Sequence, residues 1–220
     1  MIRNMSVSLL CTIILMSIAI QASAEIVHYE YSGEIESFIN ETALDSKFSL
    51  NDAMLVRFSY DTDAPDVNTD PDVGAYAALS LSIDVTHNGG AISTYSGSNP
   101  FVRNGNNITS GSATVDYCSV LAAGTQDNIS TMQFQLADYN ATALSDDSLP
   151  ADIPDLSLFQ TDKFLTGIFI DFSINGSFVR VKGKITGGGK IDPVPVPGAI
   201  WLFASGLAGL AAMGRRKSRD

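Results

Sequence analysis

Six oxygen-bearing side chains crowd one short stretch: Asp61, Asp63, Asp66, Asn68, Asp70 and Asp72, closed by Gly74. Ca²⁺ takes about six to eight oxygen ligands, and a loop of this kind could supply them. The spacing is not that of an EF-hand. Asp66, Asn68 and Asp70 match its first three ligands, but Pro71 stands where the turn glycine belongs and Ala77 where the closing glutamate belongs. The stretch is therefore either a calcium loop of another kind or a solvated acidic turn. Other chemistry is sparse. The two histidines, His28 and His87, read as solvated imidazoles, one in a strand and one at a turn. There is no G-x-S-x-G elbow, no glycine-rich phosphate loop and no H-E-x-x-H pair. Carboxylates are so numerous that some pair will always lie at glycosidase spacing, which empties that signal. The expectation is a protein that is not an enzyme and needs no cofactor unless calcium binds.

The elements that would position these residues are strands. Val27, Tyr29 and Tyr31 alternate with polar neighbours, as do Met54, Val56, Phe58 and Tyr60, then Leu79, Leu81, Ile83 and Val85. Period-two alternation marks a strand with one buried face. Asn88-Gly89-Gly90 marks a turn. Further strands are expected at Ile92–Tyr95, Phe101–Arg103, Thr114–Val120 and Ser130–Asp138. Ile168, Ile170, Phe172 and Ile174 run into Asn175-Gly176, the pair best suited to a type I′ hairpin turn. That turn sets Ile174 opposite Ser177, Phe172 opposite Val179 and Ile170 opposite Val181. It also sets Asp171 opposite Arg180 and Phe169 opposite Lys182, whose stem could cover the ring. Many short strands with turns between them predict an all-β domain, an antiparallel sandwich or jelly roll.

Both chain ends differ from this middle. Met1–Ala24 has Arg3 as its only side-chain charge, an apolar stretch from Val7 to Ile20, and Ala22-Ser23-Ala24 before Glu25. This is the n-region, h-region and A-x-A site of a secretory signal helix cleaved after Ala24. Near the other end, Gly187-Gly188-Gly189 and then Pro193, Pro195 and Pro197 read as a spacer, residues 187–197, unable to continue a sheet. Residues 198–214 follow as a transmembrane helix. Ala199–Met213 carries no charge and would cover roughly 22 Å as a helix, short for a hydrocarbon core of about 30 Å. Snorkelling from Arg215, Arg216, Lys217 and Arg219 extends the reach and marks residues 215–220 as a cytoplasmic stop signal.

The order Val194-Pro195-Val196-Pro197, then Gly198-Ala199-Ile200-Trp201-Leu202-Phe203-Ala204-Ser205-Gly206-Leu207, then Arg215-Arg216-Lys217 resembles the PEP-CTERM sorting signal of Gram-negative bacteria. The match is to the V-P-x-P variant, since Val196 occupies the position of the family's eponymous glutamate. The resemblance covers only the tail. It implies processing by exosortase, a membrane-embedded enzyme, and a link to exopolysaccharide and biofilm.

Between residues 25 and 197 stand 23 Asp and Glu against eight Lys and Arg. So acidic a region repels nucleic acid and anionic lipid, which excludes DNA and RNA as partners. Cys11 leaves with the signal peptide, so Cys118 is left alone and reads as a small buried core residue. The sequence therefore predicts an exported domain over residues 25–186. Signal peptidase, the general secretion machinery and exosortase are its processing partners. It crosses the inner membrane, is held there transiently by its tail, and ends at the cell surface or outside. Its expected role is structural or interactive in the envelope or matrix. The alternative is a polysaccharide-binding module, with or without Ca²⁺.

Overall fold

The computed structural model describes residues 25–191, except 41, 43, 45, 46, 111, 112 and 127. The signal peptide, the sorting motif, the expected transmembrane helix and the basic tail lie outside the described residues. Among those described, no helix is long and apolar enough to cross a membrane.

The described residues form eight antiparallel strands: β1 (Ile26–Ile39), β2 (Ala53–Asp61), β3 (Val73–Thr86), β4 (Ile92–Ser110), β5 (Ala113–Gly124), β6 (Ile129–Asp138), β7 (Gly167–Ile174) and β8 (Ser177–Ile191). Each pairs with its neighbour in sequence, and β1 pairs with β8, so the sheet closes into a barrel. The domain is all-β, as the alternation requires, but it is not a sandwich or jelly roll. Alternation reports one buried face per strand and is the same in both architectures. The deciding contact is the β1–β8 seam, which runs from His28↔Ile191 to Ile39↔Arg180 and leaves no free edge.

That seam corrects the expected domain boundary. Gly187, Gly188 and Gly189 are not spacer; they pair with Ser32, Tyr31 and Glu30 inside β8. Glycine is what lets the strands meet here. Gly188 has φ +132°, and a Cβ on it would stand 2.3 Å from the Glu30 carbonyl oxygen. The barrel thus runs at least to Ile191.

Other expectations hold. Val27, Tyr29, Tyr31, Met54, Val56, Phe58 and Tyr60 all point inward and are buried. Asn175 and Gly176 have φ of 52° and 79°, and β7–β8 has the register Ile174↔Ser177 through Phe169↔Lys182. Asp171 and Arg180 form a two-pronged ion pair at 2.6 and 2.7 Å. The Arg180 guanidinium lies over Phe169, at 4.8 Å from the ring centre, and the Lys182 amine pairs with Glu36. Leu79 is 55% exposed, against expectation. Ser59 pairs with Ser80 but Tyr60 with Ala78, so a bulge at Leu79 shifts the inward positions by one. The two strands expected at Ile92–Tyr95 and Phe101–Arg103 are one, β4.

An eight-stranded barrel is just wide enough to be filled by side chains. Here the filling is aromatic. Tyr31 stacks on Phe134 at 4.4 Å, and Tyr29 and Phe134 each lie 5.2 Å from Phe58. Cys118 is wholly buried among these walls, and burial pushes its thiol up to about 12, which leaves it inert.

Candidate functional site

Side chains fill the barrel interior, so candidate sites lie at its mouths and on its outer wall. At the end where residues 25 and 191 lie, segment 139–166 folds over the opening. Tyr60 donates to the Pro150 carbonyl at 2.9 Å, Tyr29 Oη accepts from Ile153 N at 2.9 Å, and Asn104 donates to the Ser148 carbonyl at 2.9 Å. Ile153 and Phe159 are buried in the core beneath it. Two buried carboxylates hold this lid. Asp116 accepts from Asn107 N and Leu144 N. Asp138, its cross-strand partner, accepts from the backbone N–H groups of Asn140, Thr142 and Ala143, from the Thr142 hydroxyl and from Gln160. Burial alone would raise the Asp138 pKa. The donors outweigh it and hold this carboxyl below the ordinary aspartate range.

The acidic loop lies at the same end, in the β2–β3 connection, and four of its side chains each turn one oxygen onto nearby backbone. Asp61 accepts from Asp63 N, Asn68 from Thr69 N and Asp70 N, and Asp70 from Asp72 N. Asp66 accepts from Ala75 N and Asn68 N, and these two bonds hold its carboxyl below the ordinary range. These are Asx turns, the usual work of Asp and Asn in tight loops. Among the described residues no group of three or more His, Cys, Asp or Glu converges as a metal site.

Glu25, the residue expected to begin the mature chain, lies 3.5 Å from Lys190 Nζ, so the two ends of the described chain meet. The expected signal-cleavage residues Ala22 and Ala24, the motif Val194–Pro197 and the stop residues Arg215–Arg219 lie outside the described residues.

The outer wall carries a cleft of about 240 Å³ across β4, β5 and β6, lined by Arg103, Tyr117, Leu121, Gln133, Gln135 and Leu165. Strand register builds it: Arg103, Ser119 and Gln135 lie side by side, as do Phe101, Leu121 and Gln133. The Gln133 amide donates to Gln135. Among the described residues Arg57, Lys163, Arg180, Lys182 and Lys190 are ion-paired, whereas Arg103 has no carboxylate partner. The cleft thus joins an aromatic ring, two amides and an uncommitted guanidinium. No single stretch of sequence marks it, because its residues come from outward positions of three strands and, with Leu165, from the β6–β7 connection.

At the opposite mouth, Leu44 and Phe48, between β1 and β2, are buried in the core. Phe48 lies 5.9 Å from the His87 ring, 6.1 Å from Tyr95 and 5.7 Å from Phe172. His87 is not the solvated imidazole its sequence position suggested. Its Nδ1 is 3.2 Å from Asp52 Oδ2, and its Nε2 is 2.8 Å from Ser93 Oγ. Asp52 is almost fully buried and also accepts from Ser49 N at 2.9 Å and Asn88 N at 3.2 Å. His28, by contrast, is exposed on β1, as expected. No protein-family model, curated protein or solved structure matches this chain.

Proposed function

We propose that this chain is an exported, PEP-CTERM-type protein of the cell envelope or extracellular matrix, and that its barrel binds polysaccharide on its outer wall. In this reading the signal peptide is removed after Ala24. Residues 198–214 hold the chain in the inner membrane, and exosortase acts at the Val194–Pro197 motif. The tail's three-part order supports the sorting half of the reading. The observation that carries the binding half is the cleft across β4, β5 and β6 on the outer wall of a barrel whose interior side chains fill. The β4–β6 cleft suits a sugar chain: the Tyr117 ring can lie against a pyranose face, and the Gln133 and Gln135 amides and the Arg103 guanidinium can bond to hydroxyls or carboxylates.

The test is a glycan array probed with the full chain and with Arg103→Ala and Tyr117→Ala, each checked for an unchanged melting temperature. Binding to at least one polysaccharide is expected, weakened about tenfold or more by Arg103→Ala. Binding that both substitutions leave unchanged would move the site off this cleft. No binding to any glycan would leave the purely structural role.

A further inference from the structure

From the mouth opposite the chain ends we infer that Ser93 is an activated nucleophile, with His87 as its general base and Asp52 as the residue that positions the imidazole, and that it takes acyl groups from small carboxylic esters. This goes beyond the binding role proposed above and does not depend on it.

The direction of every proton in the chain is set by the donors around Asp52. A carboxylate that already accepts two backbone N–H groups is an acceptor toward the imidazole as well. His87 therefore carries its proton on Nδ1, given to Asp52 Oδ2 at 3.2 Å. In the neutral ring Nε2 is then a bare lone pair, and Ser93 Oγ, 2.8 Å away, must donate to it. A hydroxyl donating to an imidazole whose other nitrogen is held by a buried carboxylate is the arrangement that makes serine nucleophilic on many unrelated folds. It is recognised by geometry and roles rather than by sequence position.

Strand register brings the three groups side by side. The last β2–β3 ladder pair is Ala53↔Thr86, so the next step sets Asp52 beside His87. Ser93 pairs with Val85 on β4 and so lies diagonally across from His87. The Phe48 ring packs against the imidazole and fixes its plane. The site is open to reagents. His87 keeps 20% of its side-chain surface in solvent, Ser93 is half-buried, and Gly89 and Gly90 in the intervening turn have nothing within 4 Å of where a Cβ would stand.

The step balances without an outside reagent. Ser93 Oγ bonds to the ester carbonyl carbon while its proton passes to His87 Nε2. The tetrahedral adduct expels the alkoxide, which leaves as alcohol with that proton. Water attacks the acyl-serine in the same way, releasing the carboxylic acid and restoring Ser93 and His87.

The experiment treats the purified full-length chain with a fluorophosphonate and maps the adduct by peptide mass spectrometry. p-Nitrophenyl acetate serves as the ester in parallel. One adduct at Ser93 is expected, with nitrophenolate released in a burst stoichiometric with the chain. Ser93→Ala should abolish both, with an unchanged melting temperature as control. His87→Gln should slow labelling roughly a hundredfold, and Asp52→Asn should slow it while Ser93 itself is intact. No adduct on the native chain, an adduct elsewhere, or labelling as fast after heat unfolding would each overturn the proposal. In those cases the network only fastens segment 40–52 to the β3–β4 turn.

Discussion

Four of the asparagines that begin N-x-Ser/Thr triplets, Asn40, Asn107, Asn128 and Asn175, have positive φ, between 52° and 61°. Asparagine tolerates the left-handed region because its short amide bonds locally. The triplets thus mark turns and bulges, and backbone geometry explains the residue choice without any glycan. Asp138 shows the same economy of local bonding in the core. Its folded-state pKa lies below the unfolded value of about 3.9, so it adds stability that is full above that value. That contribution is lost as pH falls through the depressed folded-state value. Asp138→Asn should lower the melting temperature at neutral pH. It should also flatten the fall in melting temperature between about pH 5 and about pH 2. Melting curves of the two proteins that stay parallel across that range would show that another group controls the acid limb.

Among the elements, β8 shows how glycine can make a strand rather than end one. Between Ser32 and Gly33 the β1–β8 register shifts, leaving Thr186 unpaired, and Gly188 follows within van der Waals reach of Tyr31. Gly188→Val should destabilise the barrel by about 3 kcal/mol, from a strained φ together with overlap against β1. Gly189→Ala is the control, since nothing lies within 4 Å of its added carbon. It should change stability by less than about 0.5 kcal/mol. Chemical denaturation of the two variants measures the difference, and equal midpoints would refute the close approach at the seam. The β7–β8 hairpin was readable because a two-residue Asn-Gly loop sets both register and face. The β2–β3 pair was readable only as far as Leu81, because the bulge at Leu79 is set by cross-strand pairing and leaves no mark in a period-two count.

For the molecule as a whole, pairing of His28 with Ile191 brings both described chain ends to the lidded mouth. A tail that continues from Ile191 leaves from that mouth, and the Asp52–His87–Ser93 cluster is at the other one. If the sorting reading is right, the secreted or envelope form should begin at Glu25 and lack the chain beyond the Val194–Pro197 motif. Intact-mass spectrometry of that form decides it. A mature species that still contains Arg215–Asp220 would rule out cleavage and leave an anchored protein.

The sequence by itself determined what is local: the strand class from period-two alternation, the β7–β8 register from its turn residues, and the burial of Cys118. Only the tertiary structure decided what depends on strands far apart in the chain. Closure into a barrel rests on β1 meeting β8, and the alternation of each strand is silent about its neighbour. The cleft needs outward residues of three strands in register. Asp52, His87 and Ser93 come together because two ladders fix where β2, β3 and β4 end relative to one another. The acidic loop shows the converse limit. Composition counted its oxygens, but which way they face is decided by turn geometry, which here turns one oxygen each of Asp61, Asp66, Asn68 and Asp70 onto nearby backbone.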